Sequence, residues 1–133
     1  MAACTFFGPA DCPDPIRNRL KMLIEDLILN HDTDTFYVGN EGLFDAMVRC
    51  VLWDLRKVYP NIQYHVVPAH RPSDNIPPEE LAQVLLPNGI EEFPPQQATD
   101  RRDRWMLDHS MFAIIYIPAT TSTVPNFQLI SIP

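Results

Sequence analysis

Short apolar runs alternate with segments of helical periodicity along the first half of the chain, and this alternation constrains the fold most strongly. The runs Cys4–Phe7, Thr35–Val38 and Ile62–Val67 predict three buried strands. A helix beginning at Pro15 separates the first two runs, and a helix over Gly42–Tyr59 separates the second from the third. Strands about thirty residues apart with helices between them are typical of right-handed crossovers. The sequence therefore predicts a parallel sheet with helices on its faces.

The second half of the chain is less regular. Six prolines lie between His70 and Pro95, which predicts a long proline-rich loop over residues 68–96 with a short helix at Pro78–Val84. Loops of this length in a compact domain are usually functional or mobile. A third helix is predicted over Gln97–His109, and a fourth strand, apolar throughout and so buried on both faces, over Met111–Ile117.

The C-terminal segment, residues 118–133, is atypical. An alternating pattern at Phe127–Ile132 predicts a fifth strand, joined to the fourth only through Pro118–Asn126. A parallel crossover needs about a dozen residues or more, so this link is too short for one. The last strand is therefore expected either to pair antiparallel at a sheet edge or to add to another molecule, which leaves a homo-oligomer open. The fold class predicted is α/β, with a mostly parallel sheet of four to five strands.

Composition restricts the classes of partner and site. A chain of 133 residues predicts a single domain over residues 1–133. The net charge of −7 disfavours nucleic acid as a partner, and the absence of an eighteen-residue apolar run excludes a helical membrane span. Three unevenly spaced cysteines favour reduced thiols in the cytoplasm, and the N-terminus is interpreted as a strand rather than a signal peptide. No Cys-x-x-Cys pair exists and the four histidines are scattered, so neither a metal site nor a cofactor is expected.

Ligands of open parallel sheets bind outside the carboxyl ends of the strands. The strongest candidate at such a position is the turn after the second strand, where two glycines allow a sharp bend and a helix start offers free N–H groups. An aspartate in the first helical turn could accept hydrogen bonds from a ribose or an amine. In the alternative interpretation the glycines serve only the turn, and Asp45 pairs with Arg49. The candidate binding residues of this turn are Gly39, Asn40, Glu41, Gly42 and Asp45.

Further candidates follow the first and third strands. Gly8 and Asp11 come after the first, and His70 and Arg71 come directly after the third. A cation at His70-Arg71 could meet a phosphate or carboxylate, although a His-Arg pair is equally ordinary at a surface. No Ser/His/Asp order, Walker lysine loop or Gly-x-Gly-x-x-Gly motif is present, so no catalytic mechanism is predicted.

The third predicted helix carries three arginines and a tryptophan. Trp105 with Arg101 one turn earlier could stack on a base and hold a phosphate. Alternatively the tryptophan is a core residue, and Arg101, Arg102 and Arg104 form an exposed helix face.

Three motifs together resemble the SLOG superfamily, and within it the small bacterial and phage proteins of the YpsA-like branch. They are Thr5–Gly8, Thr35–Ala46 and Arg102–Met106, and the resemblance covers most of the chain up to about Ile117. It implies a Rossmann-like three-layer fold with a pocket for nucleotide-derived ligands. Relatives in that superfamily include sensors of such ligands and phosphoribohydrolases. The resemblance places Gly39, Gly42 and Asp45 in a glycine-to-acid block, and Arg102, Arg104 and Trp105 in a second binding motif.

Two departures from the family pattern bear on activity. Relatives continue the first strand with Gly-His-Arg, whereas this chain has Gly8-Pro9-Ala10. Relatives also place a glycine-rich phosphate loop after the fourth strand, whereas Pro118–Asn126 contains no glycine. Binding of a nucleotide-derived small molecule is therefore the function expected, without catalysis. The alternatives are a shortened, non-binding family member that forms an oligomer and a hydrolase of nucleoside-phosphate N-glycosidic bonds.

Overall fold

The computed structural model describes residues 2–69, 78–87, 94–118 and 126–132. Five strands form one sheet in the order β3-β2-β1-β4-β5, in which only the β4–β5 pair is antiparallel. The α/β fold with a mostly parallel sheet is thus confirmed, and it is of the Rossmann-like three-layer type. The main elements in chain order are β1 (Ala2–Phe7), α1 (Arg17–Asn30), β2 (Thr33–Val38), α2 (Gly42–Val58), β3 (Gln63–Val66), α3 (Pro95–Asp108), β4 (Phe112–Ile117) and β5 (Asn126–Ser131).

Helices α1 and α2 cover one face of the sheet. Their buried residues repeat at helical spacing, as Leu20, Ile24 and Leu27 do in α1, and pack with Phe36 and Val38 of β2 in one hydrophobic core. The apolar stripes that predict these helices are the surfaces that build this core.

Helix α3 covers the opposite face. Tyr37 lies between two core residues of β2, so its side chain points away from α1 and α2. Its ring meets the ring of Trp105 edge to face, with centroids 5.2 Å apart. The buried residues Ala98, Arg102 and Met106 recur every four positions and form the inner side of α3.

The strand order of the sheet reverses at β1. From β1 the chain moves to β2 and β3 on one side, and then returns through α3 to β4 on the other side. Ligands of doubly wound sheets bind where the strand order reverses in this way.

Several local predictions are corrected. Helix α1 begins at Arg17 rather than at Pro15, because Asp14–Ile16 form a short 3₁₀ turn, and its N-cap Ile16 makes no side-chain hydrogen bond. The short helix in the proline-rich segment is also a 3₁₀ helix, Pro78–Gln83. The last strand pairs antiparallel with β4 in the same chain, which decides between the two arrangements expected for it. Whether it also joins a second chain stays a prediction.

No helix within the described ranges has the length and apolar character needed to cross a membrane. The predicted loop over 68–96 is described only at its two ends and at residues 78–87, where Val84 forms a bridge with Val66. The candidates His70 and Arg71 lie outside the described residues.

Candidate functional site

A cavity of about 340 Å³ opens at the carboxyl ends of β1 and β2, between the start of α2 and the inner side of α3. Its position agrees with the rule for ligand sites in parallel sheets. The predicted site residues that line it are Gly8, Gly39, Glu41, Gly42, Asp45 and Arg102.

The turn from β2 into α2 shapes the cavity floor. Gly42 has φ +78°, and a Cβ there would lie 2.6 Å from the Cα of Ala10. Leu43 N–H donates to the carbonyl of Ala10 at 2.6 Å, which ties the loop after β1 to the helix start. Glycine is required at position 42 because only it accepts both the left-handed conformation and the close backbone.

Gly39 permits a second close approach. A Cβ at this buried position would lie 2.6 Å from Nη1 of Arg102 and 2.7 Å from Oδ2 of Asp45. Because Gly39 has no side chain, the Arg102 guanidinium and the Asp45 carboxylate can both approach the backbone there. Gly42 is thus needed for the turn, and Gly39 leaves room for the charged groups beside it.

Arg102 is the centre of the charged groups. Its side chain is only 5% exposed. Nε donates to Oδ1 of Asp103 at 2.7 Å, and Nη1 donates to the carbonyl of Val67, just beyond β3, at 3.2 Å. Nη2 lies 3.8 Å from a carboxylate oxygen of Glu41. Two of the three nitrogens are thus hydrogen-bonded and the third lies within ion-pair distance of a carboxylate, which compensates the buried charge.

Asp45 is buried beside this guanidinium, and its carboxylate accepts a hydrogen bond from Glu41 N–H at 3.0 Å. Burial raises the pKa of Asp45 from 3.8 to about 6, although that hydrogen bond and the charges of Arg102 and Arg49 act in the opposite direction. Burial also raises the pKa of Asp103, against the attraction of Arg102. Desolvation therefore outweighs the available positive charge at both carboxyl groups.

The rim of the cavity contributes another acceptor. Glu41 is half exposed, and one of its oxygens accepts a hydrogen bond from Thr99 Oγ1 at 3.4 Å. Three carboxyl groups and one guanidinium thus face the same space. Such a wall accepts hydrogen bonds from hydroxyl and amino groups, and Asp45 can hold a proton near pH 6.

Other predicted residues lie away from the cavity. Arg104 is 78% exposed and lies 3.7 Å from Asp108 one turn later. Trp105 packs between Tyr37 and the ring of His109, whose centroid is 3.9 Å away. Neither residue lines the cavity, and neither do Asn40 and Asp11.

The structure shows no ion pair between Asp45 and Arg49, which are both described residues and were suggested as an alternative pair. The carboxylate accepts a hydrogen bond from the backbone at the start of α2 instead, and Nε and Nη1 of Arg49 are buried without a hydrogen-bond partner among the residues that the structure describes.

Sequence reasoning missed Thr99 and Asp103, which also line the cavity. Thr99 lies three residues before Arg102 on the same side of α3, so a helical projection centred on Arg102 could have found it. Asp103 is rotated by about 100° from Arg102, so the projection gives no signal for it. Ala10 gave no sequence signal, because it contributes only its backbone carbonyl, which accepts the hydrogen bond from Leu43 at the start of α2.

No known protein-family model matches this chain, and no curated protein is similar to it. Within the described residues, no group of three or more His, Cys, Asp or Glu side chains could hold a metal ion. The function therefore has to be inferred from the geometry of the cavity.

Proposed function

We propose that this protein is a SLOG-like domain that binds a nucleotide-derived small molecule in the cavity at the ends of β1 and β2. The observation that carries the proposal is the buried Arg102, held among Glu41, Asp45 and Asp103 in the wall of that cavity. Charged groups of both signs in a cavity at a strand-order reversal favour a polar ligand over a structural role.

Two further facts support the proposal. A volume of about 340 Å³ lies within the range of ~300–1,000 Å³ usual for small-molecule sites. Gly39, Gly42, Asp45 and Arg102, which carry the resemblance to the SLOG superfamily, also surround the cavity.

Thermal unfolding with a ligand panel tests this function. The panel contains nucleosides, adenine nucleotides, ADP-ribose and cyclic ADP-ribose. A ligand at a hundredfold excess over its Kd stabilises the folded state by about 2.7 kcal/mol, which raises the Tm by several degrees. The matched variants are Glu41→Gln, at the cavity rim, and Glu79→Gln, an exposed residue of the 3₁₀ helix that does not line it.

We expect one member of the panel to raise the Tm of the wild type and of Glu79→Gln, and to raise that of Glu41→Gln less. A panel without effect on the wild type would remove the proposal. An equal response of all three proteins would place the ligand elsewhere.

A second candidate function is hydrolysis of an N-glycosidic bond, which the raised pKa of Asp45 favours. A carboxyl group with a pKa of about 6 can donate a proton to a leaving base near neutral pH. Nucleosides and nucleoside 5′-monophosphates are incubated with the wild type and with Asp45→Asn, and free base is measured by chromatography. No release by the wild type over hours would exclude this activity, and equal release by both proteins would exclude Asp45 as its acid.

A further inference from the structure

We propose, on the basis of the binding function above, that the cavity selects an unphosphorylated nucleoside over its 5′-phosphate, because the Asp45 carboxylate occupies the place at the start of α2 that a phosphate would take. The preference would be set by the carboxyl groups in the cavity wall, of which that of Asp45 accepts a hydrogen bond from the backbone at the start of α2.

Two backbone N–H groups at the start of α2, which could otherwise bind an anion, already donate hydrogen bonds within the protein. Free N–H groups at a helix N-terminus are the usual phosphate site of such folds. Here Glu41 N–H donates to the Asp45 carboxylate at 3.0 Å, and Leu43 N–H donates to the Ala10 carbonyl at 2.6 Å. Asp45 also places its own negative charge in the favourable field of the helix N-terminus. An incoming phosphate would have to displace this internal anion.

The guanidinium in the cavity is similarly engaged. Each nitrogen of Arg102 has an oxygen nearby, on Asp103, Val67 or Glu41. A phosphate at Arg102 would share the guanidinium with these oxygens and compete with them for its charge. It would also approach three carboxyl groups against one cation, so the net charge of the wall opposes it.

A nucleoside offers the complementary groups. Its ribose hydroxyls and an exocyclic amine are donors, and a carboxylate that accepts from ribose hydroxyls is a known feature of dinucleotide sites. Hydrogen bonds to an ionised acceptor are among the stronger ones. Phe7 and Met106 supply an apolar part of the wall for the base. The volume, about 340 Å³, lies at the small end of the range for ligand sites and favours one nucleoside over a dinucleotide.

Titration calorimetry at pH 7.5 tests the preference. Adenosine, guanosine, cytidine and uridine are each compared with their own 5′-monophosphate, and ADP-ribose is included. We expect one nucleoside to bind at least about tenfold more tightly than its monophosphate. A monophosphate that binds as tightly or more tightly, or binding of ADP-ribose alone, would overturn the preference and leave the binding function standing. Absence of binding by every compound would remove both.

A charge variant locates the preference. Asp45→Asn keeps an oxygen that can accept from Glu41 N–H but removes the negative charge. Asp108→Asn makes the same change of net charge on the exposed side of α3, where Asp108 is 63% exposed. We expect Asp45→Asn to reduce the ratio of the two Kd values severalfold, mainly by improving the monophosphate, and Asp108→Asn to leave the ratio unchanged.

The same ratio in Asp45→Asn as in the wild type, or equal changes in both variants, would contradict a local origin. Glu41→Gln removes a half-exposed carboxylate from the same wall and gives a second measurement if Asp45→Asn does not fold. Its ratio should fall in the same direction, and an unchanged ratio would count against the proposal.

Discussion

Replacement of Asp45 by asparagine tests the electrostatics of the cavity through fold stability, without a ligand. The folded state raises the pKa of this carboxyl group from 3.8 to about 6, so between these pH values the folded protein binds a proton that the unfolded chain does not. The group therefore contributes stability that is fully present below pH 3.8 and is lost as the pH rises to about 6 and beyond. Asparagine carries no such penalty at neutral pH.

The magnitude follows from the size of the pKa change. A rise from 3.8 to about 6 corresponds to a change in unfolding free energy of about 3 kcal/mol across the whole titration. Between pH 4.5 and 7.5, a range in which unfolding is readily measured, the expected part is about 2 kcal/mol. The stability of Asp45→Asn relative to the wild type should increase with pH by this amount. The attraction to Arg102 and Arg49 is already contained in the pKa of about 6, so it does not alter this pH dependence.

Urea unfolding at several pH values provides the measurement. The free energy of unfolding is compared between the wild type and Asp45→Asn at each pH, so that titration of the other carboxyl groups cancels. Asp108→Asn serves as the matched control, and its difference from the wild type should stay small across the range because Asp108 is exposed. Parallel pH curves for the wild type and Asp45→Asn would refute the burial argument. A difference that falls as the pH rises would show that the surrounding cations outweigh desolvation.

Three other substitutions test the packing around the cavity. Arg102→Met leaves buried carboxyl groups without their cation and should lower the unfolding free energy by about 3–5 kcal/mol at pH 7 and by less at pH 5, as measured in urea; an equal loss at both pH values would contradict the reasoning. Gly42→Ala forces a side chain into the left-handed conformation against Ala10, so calorimetry should find a Tm several degrees lower, and an unchanged Tm would show that the loop relaxes without cost. Arg49→Met removes a guanidinium with two buried, unpartnered nitrogens and should not lower the unfolding free energy, whereas a loss above about 2 kcal/mol would indicate that the charge is needed.

The fold was largely predictable because its strongest signals are local. Each of the main elements up to β3 carries its pattern within itself, as an apolar run in β1, β2 and β3 or as a helical stripe in α1 and α2. At most of their ends the observed bound lies within about two residues of the predicted one. The length of the connection to β4 excluded a parallel crossover but left open whether β5 pairs at the sheet edge or with another molecule, and the structure shows the antiparallel pair with β4. The start of α1 was not predictable in detail, because Asp14–Ile16 form a 3₁₀ turn, which a proline at the start of a helical pattern does not distinguish from an α-helical start.

The site was predictable only in part. The Gly39–Asp45 turn could be found because two glycines mark a sharp strand-to-helix connection at a carboxyl end, where ligands of parallel sheets bind. Arg102 and Arg104 could not be separated by their position in a charged run alone, yet they point in different directions because successive helical residues are rotated by about 100°. The distinguishing signal was Ala98 and Met106, four residues on either side of Arg102, which mark it as an inward position.

The identity of residue 102 is the main argument for a binding site over a shortened domain that binds nothing. Its neighbours along the inner side of α3 are Ala98 and Met106, so an apolar residue would complete that surface without desolvating a charge. The arginine instead requires acceptors from three places in the chain, namely Val67, Asp103 and Glu41. Such breaks in local consistency are expected where a surface is built for function. Because this one lies in the wall of a cavity at a strand-order reversal, the ligand proposed above would account for both the charge and its place.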